Sequence, residues 1–247
     1  DENGTVTALR PIETVTITAV YKTNPALTCS WNLKITRTKG YITKQMLDNL
    51  DLTSIKKVMI TAHPDDETLW GGGHLIEGEY LVVCMTHGWN PKRRTAFEQT
   101  MRTTNDKYLI LDYPDVRKTF SNGKYETDML STCKNAMQED INLILSYKKW
   151  DLIATHNPFG EYGKFLHKTI SQMVTQCYNK MTNKSATLYY FGRYYNSSNK
   201  IPGEQIAPEL LAIKNSMVGR YYPTAKGAID AFGHMIPYEN WLLPSEW

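Results

Sequence analysis

Two carboxylates and a histidine lie together where a buried strand is predicted to end. The run HPDDE at residues 63–67 directly follows the apolar residues 58–60 and one Thr-Ala pair. Acidic side chains beside a buried strand cost free energy unless a positive group compensates them, and a divalent metal would do so. On a strand-to-helix turn His63 and Asp66 can converge on one point, while Asp65 faces another direction. Taken alone, either aspartate could also be explained as a helix N-cap that binds no metal.

A second motif, HNPFGEYGKFLH at residues 156–167, ends in His167. A catalytic zinc site takes three protein ligands and keeps one position open, so the first motif needs a third ligand from elsewhere in the chain. We expect His167 to supply it. His87, His156 and His234 are expected to be hydrogen-bonded structural residues, and His156 is the best placed to support a ligand because it ends a predicted strand.

The two motifs together resemble those of the LmbE/PIG-L superfamily of zinc-dependent N-acetylglucosaminyl deacetylases. Enzymes of the GlcNAc-phosphatidylinositol de-N-acetylase type belong to this superfamily. The resemblance covers roughly residues 56–195 and includes the run LDYPD at residues 111–115. It implies that Asp65 is the general base. It also implies a Zn²⁺ ion, which Fe²⁺ can replace, held by the metal ligands of the two motifs: His63, Asp66 and His167.

The same resemblance implies roles for residues around these ligands. The family's arginine and its aspartate after the third strand, both associated with substrate binding, correspond to Arg94, less closely Arg93, and to Asp115. Tyr162 matches a tyrosine that approaches the reacting carbonyl. Many relatives carry a histidine three residues before the last ligand, where this chain has Lys164, whose ammonium group could stabilise an oxyanion as a point charge.

The predicted function is a zinc-dependent hydrolase that removes an N-acetyl group from an N-acetylglucosamine-type amino sugar, glycan or glycolipid. A metal-bound water would be the nucleophile, and Asp65 would take its proton. Trp70 and Trp89 lie at predicted strand ends and are our candidates for stacking on the sugar. Two alternatives stay open: an amidase that acts on a larger acyl conjugate, and a carbohydrate-binding protein that has lost catalysis.

The strands and helices that must position these residues are predicted from the spacing of apolar runs along the chain. Short apolar runs alternate with helical stretches from residue 56 onward, which predicts an α/β fold with a Rossmann-like, mostly parallel sheet flanked by helices. We place this deacetylase-like domain at residues 51–247. Ligands collect at the carboxyl ends of such strands, where both motifs lie. The predicted strands are 58–62, 80–86, 108–111, 151–155 and 187–190, and the clearest helices are 129–147 and 165–177.

The two ends of the chain differ from this pattern. Residues 1–50 are predicted to form a small N-terminal β appendage, because a Thr-rich stretch of β character is followed by alternating apolar and polar residues at 31–35. Near the other end, Pro223, Lys226 and Gly227, with Trp241 and Trp247, are predicted to belong to a loop that closes over the sheet.

Composition narrows the class of protein. Hydrophobic residues make up 41% and charged residues 21%, which is typical of a globular protein. No run approaches the roughly 18 apolar residues of a transmembrane helix, and a scattered net charge of +3 argues against a nucleic-acid surface. The four cysteines form no CxxC pair, and Cys84 is predicted to be a buried thiol. Glycosylation patterns at Asn3, Asn183 and Asn196 slightly favour export.

Overall fold

The computed structural model describes residues 12–116, 128–182 and 184–247. The strands form two separate sheets. A two-stranded antiparallel sheet contains β1 (Ile12–Val20) and β2 (Thr28–Ile35). The main sheet contains β3 (Lys57–Thr61), β4 (Tyr80–Thr86), β5 (Lys107–Tyr113), β6 (Leu152–Thr155) and β7 (Thr187–Tyr190), all parallel, in the spatial order β5-β4-β3-β6-β7. The predicted α/β class, with a parallel sheet and a small N-terminal β unit, is confirmed.

Helices cover both faces of the main sheet. Their bounds are α1 (Lys44–Asp48), α2 (Asp66–Glu77), α3 (Pro91–Thr104), α4 (Asp128–Tyr147), α5 (Gly160–Gly163), α6 (Phe165–Lys180) and α7 (Pro208–Phe232). The helices α2, α3 and α7 pack against one another, and α4 packs against α1 and α6. Two core clusters result, one on each side of the sheet. Burial on both faces explains why the central strands are continuous apolar runs.

The strand order reverses direction at β3. After β3 the chain passes through α2 to β4 on one side, and β6 later pairs with β3 on the other side. In open α/β sheets, the crevice beyond the carboxyl ends of two such strands is where ligands bind. The residues that follow β3 and β6, among them His63 and His156, therefore lie next to each other.

The N-terminal hairpin has one apolar and one polar face. On the apolar face Trp31 lies opposite Ile17 and Leu33 lies opposite Val15. Alternation of this kind is what the sequence predicted for residues 31–35. The core of the main domain starts soon after the hairpin, since Ile42 is already buried within it.

A long helix occupies residues 208–232, where the sequence analysis had predicted a loop around Pro223, Lys226 and Gly227. That prediction is wrong. The helix continues past Pro223 with a kink at Ala225, where φ is −129°. Its buried side chains recur at helical spacing, and this burial outweighs the proline and the glycines. They are Lys214, Met217, Val218, Tyr221, Ala225, Ile229 and Phe232.

The C-terminal segment returns to the edge of the sheet. Leu242 forms an antiparallel bridge with Tyr190 of β7, and the indole N–H of Trp241 donates to the carbonyl of Trp70, 2.8 Å away. This part of the tail therefore does pack against the sheet, as was predicted for Trp241.

Cys84 is a buried thiol, as predicted. Asn196 is exposed, whereas Asn3 and Asn183 lie outside the described residues. No helix in the described part of the chain is both long and apolar enough to span a membrane.

Candidate metal centre

The three predicted ligands converge at the carboxyl end of the central strand. His63 follows β3, Asp66 is the first residue of α2, and His167 lies in the first turn of α6. The Nδ1 of His63 lies 3.1 Å from the Nε2 of His167 and 3.3 Å from the Oδ2 of Asp66. The Nε2 of His167 is 3.4 Å from the same oxygen. All three residues are buried.

These separations fit a divalent ion. Ligand atoms bound tetrahedrally to zinc at about 2.0–2.1 Å lie roughly 3.3 Å from one another, and the three atoms here are spaced 3.1 to 3.4 Å apart. Two imidazoles and one carboxylate form the mixed nitrogen and oxygen set found in catalytic zinc sites, with a fourth position left for water or substrate.

The turn between β3 and α2 holds an unusual backbone conformation. Asp65 has φ 137° and ψ −32°, a region that non-glycine residues rarely adopt and that costs about 1–3 kcal/mol. Its backbone N–H donates to the Oε2 of Glu67 at 3.1 Å, and the hydroxyl of Tyr221 donates to the Oε1 of Glu67 at 2.5 Å. The backbone N–H of His63 donates to Asp66 at 2.8 Å. The surrounding side chains thus stabilise the turn.

The two adjacent aspartates differ in pKa. Burial, together with the negative charge of Asp66, raises the pKa of Asp65 to about 7, although the Arg93 guanidinium, 3.6 Å away, opposes the shift. Burial also opposes ionisation of Asp66, but His167 and His156 outweigh it and hold the pKa of that carboxyl well below its usual range. A pair of carboxylates whose pKa values diverge in this way is typical of acid–base sites.

Each of the two histidines predicted to be ligands also contacts a carboxylate through its second ring nitrogen. The Nε2 of His63 lies 2.9 Å from Asp115, and the Nδ1 of His167 lies 2.5 Å from Glu161. The pKa of Asp115 is lowered, because the charge of His63 outweighs the effect of burial. Carboxylates in this position orient a metal-binding imidazole. Asp115, for which the resemblance implied a substrate-binding role, therefore contacts one of the predicted ligands directly.

The structure distinguishes between the two candidate arginines. Arg93 is largely buried and directed at Asp65, whereas the side chain of Arg94 is half exposed and lies 3.9 Å from Glu98 on the same helix. Asn90 is the N-cap of helix α3; its side-chain oxygen accepts from the backbone N–H of Arg93, and this cap fixes the rotation of the helix. The arginine beside the site is thus Arg93.

A cavity of about 160 Å³ opens beside the ligands. One wall is polar and the other is apolar. The apolar wall consists of Leu69, Trp70, Ala228 and Phe232, the last two from α7. The polar wall consists of His63, Asp65, Asp66, Arg93, Asp115, Tyr162 and Lys164.

A second cavity, of about 250 Å³, shares part of this wall. The shared residues are His63, Asp115, Tyr162 and Lys164. A larger surface cavity of about 600 Å³ lies between α4 and α6 and contains none of the predicted site residues, so we assign the site by its chemistry and not by cavity size. Trp89 is 44% exposed, lies beside His87, and lines neither of the two cavities beside the candidate metal centre.

Three contributions to the site were missing from the sequence analysis. Glu161 contacts His167, yet the only signal in the sequence that pointed to Glu161 was its position inside the second motif. Glu67 supports the Asp65 turn through Tyr221, a residue 154 positions away along the chain. Ala228 and Phe232 could not be found because the segment that carries them was predicted to be a loop.

The chain was also compared with known proteins. No family model matches it. An uncharacterized protein of Acanthamoeba polyphaga mimivirus is 31% identical to it over 175 residues, which correspond to 64% of this chain and 67% of the viral protein.

Proposed function

The chain belongs to the same protein family as the mimivirus protein, and we propose that it is a metal-dependent hydrolase that removes an N-acetyl group from an N-acetylglucosamine-type amino sugar. One observation carries this proposal. Three ligand atoms with the spacing of a zinc site lie next to a buried aspartate that stays outside the ligand group, at the wall of a cavity. A binding protein would have no need of a base in that place. The resemblance to LmbE/PIG-L enzymes supports the same reaction.

His63, Asp66 and His167 would hold the metal ion, zinc or iron(II). Such an ion would lower the pKa of a water molecule and polarise a carbonyl group. Asp65 is positioned to accept a proton from the attacking water and to return it to the leaving amine when the carbon–nitrogen bond breaks. The products would be acetate and a free amino sugar.

Two side chains could stabilise the negative charge that develops on the carbonyl oxygen. Burial raises the pKa of Tyr162, so its hydroxyl keeps its proton and can donate a hydrogen bond. Lys164 lines the same cavity and brings a positive charge. Arg93 lies close enough to Asp65 to keep its carboxylate oriented.

A second candidate is an amidase that releases a larger acyl group. The 250 Å³ cavity favours it, because it begins at the same polar wall and would extend the space beside the ligands. The two candidates differ only in the acyl group they accept, so a series of acyl chain lengths on one amino sugar distinguishes them.

The proposal is tested by measuring acetate and free amine released from N-acetylglucosamine derivatives, from monosaccharides to oligomers and lipid-linked forms. We expect the metal-loaded protein to release both in equal amounts and Asp65→Asn to be slower by about 100- to 10,000-fold. Asp230→Asn, an exposed aspartate on α7, is the matched control and should retain full activity. Glycan binding without acetate release would instead support the carbohydrate-binding alternative.

A further inference from the structure

Glu161 is buried behind His167, on the side away from the other two ligands. Its side chain is completely inaccessible to solvent. Its Oε2 lies 2.5 Å from the Nδ1 of His167 and 3.1 Å from the Nδ1 of His156. Its Oε1 accepts from the backbone N–H of Asn157 at 3.2 Å. Every polar contact of this carboxylate is therefore with a donor, or with a ring nitrogen that can be one.

The backbone conformation of Glu161 is strained. Its φ is 54°, in the left-handed region that favours glycine, and its backbone N–H donates to the side chain of Asn157 at 3.0 Å. The side chain of Asn157 also donates to the carbonyl groups of Phe191 and Gly192, which directly follow β7. Strain of this kind persists where the surroundings hold a residue in place, and it is frequent at functional sites.

Hydrogen bonding fixes the tautomer of His156. The backbone N–H of Ala62 donates to the Nε2 of His156 at 2.9 Å, so this nitrogen is the acceptor. In the neutral ring the proton then lies on Nδ1, where it is donated to Glu161; the same Nε2 is also 3.5 Å from the Oδ2 of Asp66, a longer separation than the 2.9 Å bond from Ala62. The rings of His156 and His167 are stacked, with centroids 3.9 Å apart, so His156 also limits the rotation of the ligand ring.

The same carboxylate fixes the tautomer of His167. An ionised carboxylate can only accept, so His167 donates from Nδ1 and keeps the lone pair on Nε2. That nitrogen is the one that lies beside His63 and Asp66. A metal requires this lone pair, and the opposite tautomer would present a proton to it.

Glu161, His156 and His167 could also be regarded as a second metal site, because one atom from each lies within 4.8 Å of the others. The hydrogen bonds argue against this. Both Nδ1 atoms face one oxygen at hydrogen-bond distance, and each proton there satisfies a buried polar group. A second ion would have to displace both protons inside the protein.

We propose that Glu161 is a positioning residue which, together with His156, holds His167 in the tautomer and ring orientation that a metal needs, and that this group binds no second ion. The inference rests on the proposed function only in so far as His167 is a metal ligand. Nothing in it depends on which substrate is hydrolysed.

The first test is titration of the metal-free protein with Zn²⁺ and Co²⁺. Calorimetry monitors the binding of both ions, and the visible spectrum monitors the binding of cobalt. We expect one ion per chain in the wild type and, for Glu161→Gln, an affinity lower by about 10- to 100-fold. The amide of glutamine can donate to Nδ1 and so allow the wrong tautomer. Asp140→Asn is the matched control, since Asp140 is another buried carboxylate that accepts from Ile42 and Tyr113. It should lower stability and leave the metal affinity unchanged.

The second test uses the wild type alone and so does not depend on a variant that folds. Nitrogen-15 NMR of histidine in the zinc-loaded protein should show protons on the Nδ1 of both His156 and His167. A proton on the Nε2 of His156, two ions per chain, or equal affinity in Glu161→Gln would overturn the inference while leaving the proposed function intact. A wild type that binds no metal at all would overturn both.

Discussion

At the scale of single residues, the site depends on which groups face the buried side of each element. Arg93 and Arg94 are neighbours in sequence, yet all four buried residues of α3 lie three, four, seven or eight positions after Arg93, whereas only two of them lie at such spacings from Arg94. The sequence therefore contained the signal that selects Arg93. Weighing the two arginines by motif position alone, as the resemblance did, favoured the exposed residue.

The two arginines give a direct comparison of activity. We expect Arg93→Ala to lower kcat/KM by about 10- to 100-fold, because it removes a largely buried positive charge that lies 3.6 Å from the Asp65 carboxylate. Arg94→Ala should stay within about twofold of the wild type, because exposed ion pairs contribute little. The measurement is the rate of acetate release at several substrate concentrations. Equal losses in both variants would contradict the assignment of Arg93.

Asp106, outside the site, gives a prediction about stability and pH. Burial raises its pKa from 3.8 to about 7, and its carboxyl group accepts from the backbone N–H of Tyr80 at 2.7 Å and from Thr104. Because the folded pKa lies above the unfolded one, the contribution of the protonated group to stability is complete below pH 3.8 and is lost as the pH rises through about 7.

Asparagine at this position keeps the shape and does not titrate. We expect the free energy of unfolding of the wild type to fall relative to that of Asp106→Asn by on the order of 2–4 kcal/mol between about pH 4 and pH 8. Urea denaturation of both proteins across this range measures the difference. Parallel pH profiles would mean that Asp106 titrates alike in the folded and unfolded chain.

At the scale of elements, the strands were predictable and α7 was not. The predicted strands match the observed ones closely, because buried parallel strands appear as short apolar runs with clear ends. The rule that ligands gather at those ends pointed to the two motifs, and the need for a third ligand pointed to His167. In α7, by contrast, Pro223 and Gly227 interrupt the sequence pattern. The helix forms there because its buried face packs on α2 and α3, which is a tertiary effect.

Helix α7 also sets the size of the cavity beside the ligands. Ala228→Leu adds three carbons to the wall of a space of about 160 Å³, so we expect the hydrolysis of acetylated substrates to slow by at least about tenfold. The control is Ala231→Leu, the same change at an exposed position of the same helix. Activity across a series of acyl chain lengths is the measurement. Unchanged activity in Ala228→Leu would show that the acyl group binds elsewhere.

At the scale of the whole molecule, one buried ion pair connects the C-terminal segment to two helices. Lys214 of α7 is completely buried and lies 2.5 Å from Glu239, which also accepts from the backbone N–H of Gly73 in α2. Burial lowers the pKa of Lys214 despite this partner. The pKa of Glu239 falls to about 2, because Lys214 and then His74 outweigh the effect of burial.

Removing one partner should destabilise the entire fold. We expect Glu239→Gln to lower the free energy of unfolding by about 3–5 kcal/mol, because it leaves a buried ammonium group without its counter-ion. The double variant Lys214→Met/Glu239→Gln should lose markedly less. Chemical denaturation with an unchanged m-value is the measurement. A double variant that is less stable than Glu239→Gln would show that the charge of Lys214 is not what makes the single change harmful.

The left-handed backbone conformation of Asp65 means that selection for stability and selection for activity should favour different residues at position 65. Glycine would adopt the same φ without strain, so a library selected for thermal resistance alone should accumulate glycine at position 65. Selection for turnover should restore the aspartate. The residue found at position 65 after such selection would therefore indicate whether the proposed hydrolysis or only the stability of the fold had been selected.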